Sequence, residues 1–252
     1  VVVAALSRSL YLDVGGELVW LGPRDATLHG RAIVADEVPA LDAGDRVETS
    51  FDLRAAREWR PAPAPTPLAS DGARHQARRL AGALARGGRP EGFGALLAGG
   101  RPAFPLDRAA ADARRFLDAC AGDDAAGGPV LAGPLLGLGP GLTPAGDDLV
   151  GGAFFAKVLV GEAAPRWREG AAAVRALARG RTHPISAMLL GDLVGGEGHA
   201  PLHDVLGALV HADAQAADRA AARLVRIGHS SGWDMLAGVL GALGALPALP
   251  AY

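Results

Sequence analysis

The chain is poor in cysteine, lysine, aromatic residues and net charge, and each shortage rules something out. Cys120 is the only cysteine in 252 residues, so neither an intrachain disulfide nor a thiolate metal cluster can form. It lies in Arg114-Arg115-Phe116-Leu117-Asp118-Ala119-Cys120-Ala121, a helical pattern that reads as a buried structural thiol. Lys157 is the only lysine and every other basic side chain of the Lys/Arg set is arginine. That bias fits a GC-rich coding sequence and carries no functional message. The formal charge of −2 argues against nucleic-acid binding through a bulk positive field. Aromatic residues make up 5% of a chain that is half hydrophobic. Interiors are therefore expected to be closely packed helices with small side chains, chiefly Ala and Gly.

Long apolar runs are missing too. The uncharged stretch Met235–Tyr252 is interrupted by Pro247 and Pro250, which leaves about twelve helical residues, too few to span a bilayer. Val1–Leu6 is apolar but has neither a basic leader nor the length of a signal sequence. A cytoplasmic protein with no membrane and no nucleic-acid partner is expected.

What is present predicts an α+β chain: a small antiparallel β-rich part over 1–60, a proline-rich linker over 61–69 and a mainly α-helical domain over 70–252. Ser9–Leu12, Leu18–Leu21 and Ala32–Val34 read as short strands between turn signals at Asp13–Gly16, Gly22–Asp25 and Asp42–Asp45. Val47–Leu53 alternates in strand fashion. Pro-Ala-Pro-Ala-Pro-Thr-Pro at 61–67 makes an extended spacer, or alternatively a docking peptide. Helical periodicity follows over Gln76–Arg86, Arg108–Ala121, Leu149–Val160, Trp167–Arg179, Ile185–Val194, His203–His211 and Asp218–Ile227. Arginines 74, 78, 79, 86 and 89 read as a solvated face, or as a surface for an anionic partner.

The domain is organised around Gly137-Leu138-Gly139-Pro140-Gly141-Leu142-Thr143-Pro144-Ala145-Gly146-Asp147-Asp148-Leu149. Thr143 reads as a helix N-cap and Pro144 as the first helical residue. The amides of such a start lack internal partners and lie at the positive end of the helix dipole. Gly139, Gly141 and Gly146 let a ligand approach the backbone closely. A second stretch, Gly228-His229-Ser230-Ser231-Gly232-Trp233-Asp234-Met235-Leu236-Ala237-Gly238, aligns with the first at an offset of 87 and pairs Asp147 with Asp234. A weaker echo is Thr182-His183-Pro184-Ile185-Ser186.

Each candidate has a plain structural alternative. Adjacent carboxylates on a helix point about 100° apart, so Asp147 and Asp148 are no facing pair, and negative charge at a helix start is worth roughly 0.3–1 kcal/mol by itself. One acidic residue is explained by that, two less readily. If the two starts face each other, Asp147 and Asp234 bracket a cleft that binds Mg²⁺ through waters or takes hydrogen bonds from amide or ureido nitrogen. His229 is a loop histidine or an acid–base group. Ser230 and Ser231 read as caps, with Ser231-x-x-Asp234 like a capping box. Thr182 and Ser186 show hydroxyls on one helix face, flanked by Arg179 and Arg181 near an anion pocket. His199, His203 and His211 lack a tight zinc-ligand spacing apart from His199-x-x-x-His203, which straddles Pro201. The glycine loop is neither a Walker A loop nor a dinucleotide fingerprint, and no Gly-x-Ser-x-Gly elbow occurs.

The stretches 137–149, Thr182-x-x-x-Ser186 and Ile227–Gly238 resemble the oxamate carbamoyltransferase subunit AllH family. The resemblance implies one subunit of a multi-subunit enzyme of allantoin breakdown, moving a carbamoyl group from oxalurate to phosphate. Partners would be small anionic substrates (carboxylate, phosphate) and further subunits, with no certain cofactor and Mg²⁺ as an alternative. In that reading Asp147, Asp148, Asp234 and His229 are the catalytic candidates. Gly139, Gly141, Thr143, Gly146, Thr182, Ser186, Ser230, Ser231 and Gly232 are the substrate-binding ones. The rivals are a non-catalytic carboxylate- or phosphate-binding subunit and a Mg²⁺-dependent enzyme acting on a phosphate ester.

Overall fold

Alternation of buried and outward side chains builds the first unit. Leu10 and Leu12 point inward while Tyr11 and Asp13 do not, and Val2 and Ala4 alternate with Val3 and Ala5 in the same way. The computed structural model describes residues 1–48, 54, 56–62, 70–87, 89–161 and 163–247. They divide into two compact units, Val1–Ala62 and Pro63–Tyr252. In the first, β1 (Val2–Ala5), β2 (Leu10–Val14), β3 (Glu17–Pro23) and β4 (Ala32–Ala35) lie side by side in chain order. Val2, Leu10, Leu12 and Leu21 form the buried cluster on one face. The Gly15-Gly16 turn joins β2 to β3, and the Gly16 amide donates to Asp13 Oδ1 at 2.7 Å.

The expected all-antiparallel sheet fails at its edge. β4 runs parallel to β3, with Ala32 opposite Trp20 and Ile33 opposite Leu21. The turn signal at Gly22–Asp25 does not make a hairpin: the chain doubles back along β3, and the Arg31 carbonyl accepts the Trp20 amide at 2.9 Å. Val1–Leu6, read only as an apolar start, supplies β1. Of the strand expected over Val47–Leu53, Val47 and Glu48 lie in no strand, and 49–53 are outside the described residues. The proline-rich stretch also lies outside them from 63 onwards.

The second unit contains α1 (Ser70–Gly87), α2 (Ala110–Ala121), α3 (Gly127–Ala132), α4 (Ala145–Leu159), α5 (Ala164–Ala178), α6 (Pro184–Leu193), α7 (Ala200–Val210), α8 (Ala214–Leu224) and α9 (Ser231–Ala242). Short 3₁₀ turns lie at Gly92–Ala98, Leu106–Ala109 and Gly133–Leu135. With the small sheet this makes the chain α+β. Every residue from Ala145 to Val158 is buried, as is every residue from Gly232 to Ala242. Helices apolar all round belong at the centre of a bundle, and α4 packs against α9 there. The outer helices are amphipathic: α8 turns Ala217, Ala220, Ala221 and Leu224 inward, at the spacing of one helix face.

Glycine makes the central contact as close as it is. A Cβ on Gly152 would overlap the Met235 carbonyl oxygen, and a Cβ on Gly238 would overlap the Leu149 carbonyl oxygen. Part of the expected arginine face also ties helices together while staying at the surface. Arg79 bonds Asp218 at 2.8 Å and the Ala214 carbonyl at 3.0 Å, and Arg78 donates to the Gly244 carbonyl at 3.2 Å.

The lone lysine is buried inside this bundle. Lys157 is paired with Asp123 and lies 5.6 Å from the centre of the Trp167 ring. Cys120, buried as expected, has its thiol pushed upward chiefly by that burial. Asp123→Ala should leave the ammonium without its counter-charge. The cost belongs at the low end of the roughly 3–5 kcal/mol for breaking a buried pair, because the Asp123 side chain is 38% exposed. Lys157→Met, which removes charge and keeps the volume, should cost less; urea denaturation of both variants checks the order. Among the described residues no helix is long and apolar enough to cross a membrane.

Candidate functional site

The two glycine-fed helix starts meet. Thr143 Oγ1 lies 3.0 Å from Ser231 Oγ, linking residues 88 positions apart in sequence. Neither start is capped by a side chain as the sequence suggested. At α4 the N-cap is Pro144, extended at ψ 142°, and the helix begins one residue later than expected, at Ala145. Thr143 is one residue too early to cap, and its hydroxyl turns to Ser231 instead. Backbone oxygens do the capping: the Leu138 carbonyl accepts the Gly146 amide at 2.9 Å, and the Pro144 carbonyl accepts Asp147 at 2.9 Å and Asp148 at 3.2 Å. At α9 the N-cap is Ser230, again without a side-chain bond, so the capping box read at Ser231 and Asp234 does not form.

The repeat is real in space but one residue out of the register read from sequence. The α9 start copies the α4 start at an offset of 86. The Asp234 amide donates to the Ser230 carbonyl at 2.9 Å as the Asp148 amide does to the Pro144 carbonyl at 3.2 Å. The packing agrees, because the partners Gly152–Met235 and Gly238–Leu149 exchange places under the same offset. Such reciprocity is what a local two-fold relation produces. The equivalent of Asp234 is therefore Asp148, not Asp147.

Asp147 is fully engaged. Its Oδ1 accepts the Gly137 amide at 2.8 Å, and its Oδ2 accepts the hydroxyls of Thr182 and, at 2.6 Å, Ser186. Thr182 and Ser186 thus join the start of α6 to the glycine loop through one buried carboxylate. Gly137 has φ 76°, and a Cβ there would overlap the Arg181 carbonyl, so only glycine fits between the loop and Arg181. Arg181 itself donates to the Gly133 carbonyl at 2.8 Å.

Asp148 and Asp234 are placed differently. Asp148 is 7% exposed and Asp234 not at all, yet Oδ2 of each has no hydrogen-bond partner among the described residues. Asp234 Oδ1 accepts the Phe93 amide at 2.6 Å. Burial pushes the Asp148 carboxyl well above the ordinary carboxylate range. The Ser231 and Thr143 hydroxyls pull it back, while the charges of Asp234 and Asp147 add to the rise. Burial raises Asp234 to about 7, against the pull of the Phe93 amide and the Ser230 hydroxyl, and the Glu91 charge raises it further. Those hydroxyls lie near enough to favour charge without reaching a hydrogen bond to either Oδ2.

The loop around the junction is open to a ligand's backbone contacts. Gly139 and Gly141 have φ 119° and 95°, and the amides of Gly139, Gly141, Leu142 and Thr143 find no acceptor among the described residues. His229 stands at the surface, its side chain 95% exposed, with Nε2 3.9 Å from Glu91 Oε2. Glu91, Gly92 and Phe93 were not foreseen as neighbours of this site. Gly92 has φ 53°, and a Cβ on it would overlap Asp234 Oδ1, so the segment needs glycine to lie against the carboxylate. Only the Gly92-Phe93-Gly94 pattern hinted at a close approach. The Mg²⁺ alternative draws no support from the donor set: both Asp147 oxygens are occupied, and among the described residues no group of three or more His, Cys, Asp or Glu is placed to hold a metal ion.

These features define a helical domain with a paired helix-start site, duplicated within one chain. Residues 135–243, which span both starts, match the family model of oxamate carbamoyltransferase subunit AllH. That is the family the sequence motifs resemble, and its name describes one subunit among others. No curated protein and no solved structure matches the chain.

Proposed function

We propose that the junction of the α4 and α9 starts is the substrate site of a carbamoyltransferase subunit, which moves a carbamoyl group from oxalurate to phosphate and yields oxamate and carbamoyl phosphate. The observation that carries this reading is the reciprocal pair Asp148 and Asp234. Each keeps a buried carboxyl oxygen without a partner among the described residues, an arrangement that costs about 1–3 kcal/mol per group unless something arrives to satisfy it. A ureido group, with its N–H donors, satisfies such acceptors, and the free amides from Gly139 to Thr143 suit a carboxylate or phosphate. Asp147, Thr182 and Ser186 hold the loop in place in this reading. Other subunits supply what the single chain lacks.

Titration calorimetry of the purified chain with oxamate and with inorganic phosphate tests the site. Binding of at least one is expected, and Gly141→Val, which blocks the exposed loop without entering the core, should weaken it by tenfold or more. Equal heats for both proteins, or no heat from either ligand together with no carbamoyl phosphate formed by the reconstituted complex, would overturn the proposal.

A further inference from the structure

The local two-fold is broken at one point, and the break separates two chemical roles. Asp234 Oδ1 is held by a backbone N–H, that of Phe93. No backbone N–H donates to the Asp148 side chain among the described residues; what face it are two hydroxyls, Thr143 and Ser231, and two carboxylates, Asp147 and Asp234. A carboxylate that receives an N–H bond keeps its charge more readily than one that does not. The groups facing Asp234 are the Phe93 amide, the Ser230 hydroxyl and the carboxyls of Glu91 and Asp148, and Glu91 in turn lies 3.9 Å from exposed His229. Asp234 therefore has a fixed N–H donor on one carboxyl oxygen, which Asp148 lacks.

We infer that Asp148 is the proton donor and Asp234 the proton acceptor of the transfer step, with Asp147 a positioning residue that touches neither substrate. This rests on the carbamoyltransferase reading above. Phosphate oxygen attacks the carbamoyl carbon of oxalurate, the bond from that carbon to the bridging nitrogen breaks, and that nitrogen leaves on oxamate. The departing nitrogen takes the proton of the Asp148 carboxyl, while Asp234 takes the proton of hydrogen phosphate. Return of that proton from Asp234 to Asp148 restores both groups, so the net change moves one proton from phosphate to the oxamate nitrogen. Two like groups whose surroundings push them apart make such an acid and base pair. The carboxyl that no backbone N–H reaches suits the donor, which must hold its proton at neutral pH.

The test is the pH dependence of kcat/KM in the reconstituted complex, measured as phosphate-dependent oxamate release. The wild type should show a bell with its acid limb near pH 7. Asp234→Asn should lower kcat by 10²–10⁴-fold and abolish the acid limb; Asp148→Asn should lower it similarly and abolish the alkaline limb. Both should bind inorganic phosphate, which the loop amides hold in this reading, within a few-fold of wild type. Thr143→Val, which removes a hydroxyl that favours the charged form of Asp148, should keep substantial activity and move the alkaline limb to higher pH. Asp147→Asn should change KM or stability, leave the acid limb in place and move the alkaline limb to lower pH, because the Asp147 charge adds to the rise of Asp148. If the wild type transfers carbamoyl groups but the Asn variants at 148 and 234 retain its pH profile, the acid–base assignment is wrong and the functional reading stands. If the wild-type complex makes no carbamoyl phosphate, both fall.

Discussion

Asp234→Asn should make this protein more stable above pH 7. The folded state holds the Asp234 carboxyl at about 7 against an ordinary value of 3.8, so it binds a proton that the unfolded chain releases. That contribution is fully present below the ordinary value and is lost as pH rises through about 7. At higher pH the buried charge is a standing cost, which Asn does not carry, while its amide oxygen still accepts the Phe93 N–H. At about 1.4 kcal/mol per unit, the advantage of the Asn variant should grow by roughly 2–3 kcal/mol between pH 5 and pH 8. Urea denaturation at the two pH values reads it directly. An advantage that does not change with pH would mean that Asp234 is charged throughout. Asp148 is raised in the same direction, and Asp148→Asn should show the same trend. A stability gain at a site whose activity is lost marks a group kept for chemistry rather than for folding.

Gly152→Ala and Gly238→Ala carry the largest expected losses of stability. Each new methyl would meet a backbone carbonyl on the facing helix, that of Met235 or of Leu149, and a carbonyl inside a helix cannot rotate away as a side chain can. The helices must separate, at a cost near or above the usual 1–3 kcal/mol for overpacking. Separation also pulls Thr143 from Ser231, now 3.0 Å apart. Loss of ligand binding should therefore accompany the fall in melting temperature, and the two variants should resemble each other because the contacts are reciprocal. Gly207→Ala is the control: a Cβ there meets nothing within 4 Å and should add a little helix propensity. Wild-type stability in Gly152→Ala would show that the α4–α9 contact is looser than described.

The order of helices was legible because periodicity reports which face of an element is buried, and the α+β class followed from it. Strand partners were not, since nothing local distinguishes a strand that folds back as a hairpin from one that returns parallel, as β4 does. The two helix starts stood out by their glycines, but matching them at 87 put the wrong aspartate opposite Asp234. The match rewarded Gly141, Leu149 and Gly151, whereas the chain aligns by backbone contact through Gly146, Gly152 and their counterparts Gly232 and Gly238. Which aspartate is saturated was also hidden, because the donors to Asp147 come from Gly137, Thr182 and Ser186, ten to 39 positions away. The same holds for Phe93, which reaches Asp234 across 141 positions.

A helix with no polar face has nowhere to rest while it waits for its neighbour. α4 is buried on all sides, and α9, its principal neighbour, is translated only roughly seventy residues later. At about 5–20 residues per second that interval is on the order of 4–14 s, during which Leu149 and Gly152, which lie against α9, lack their partners. The bundle is thus obliged to close after its last helix leaves the ribosome, and a chaperone that shelters apolar helices has a physical reason to meet this chain during synthesis.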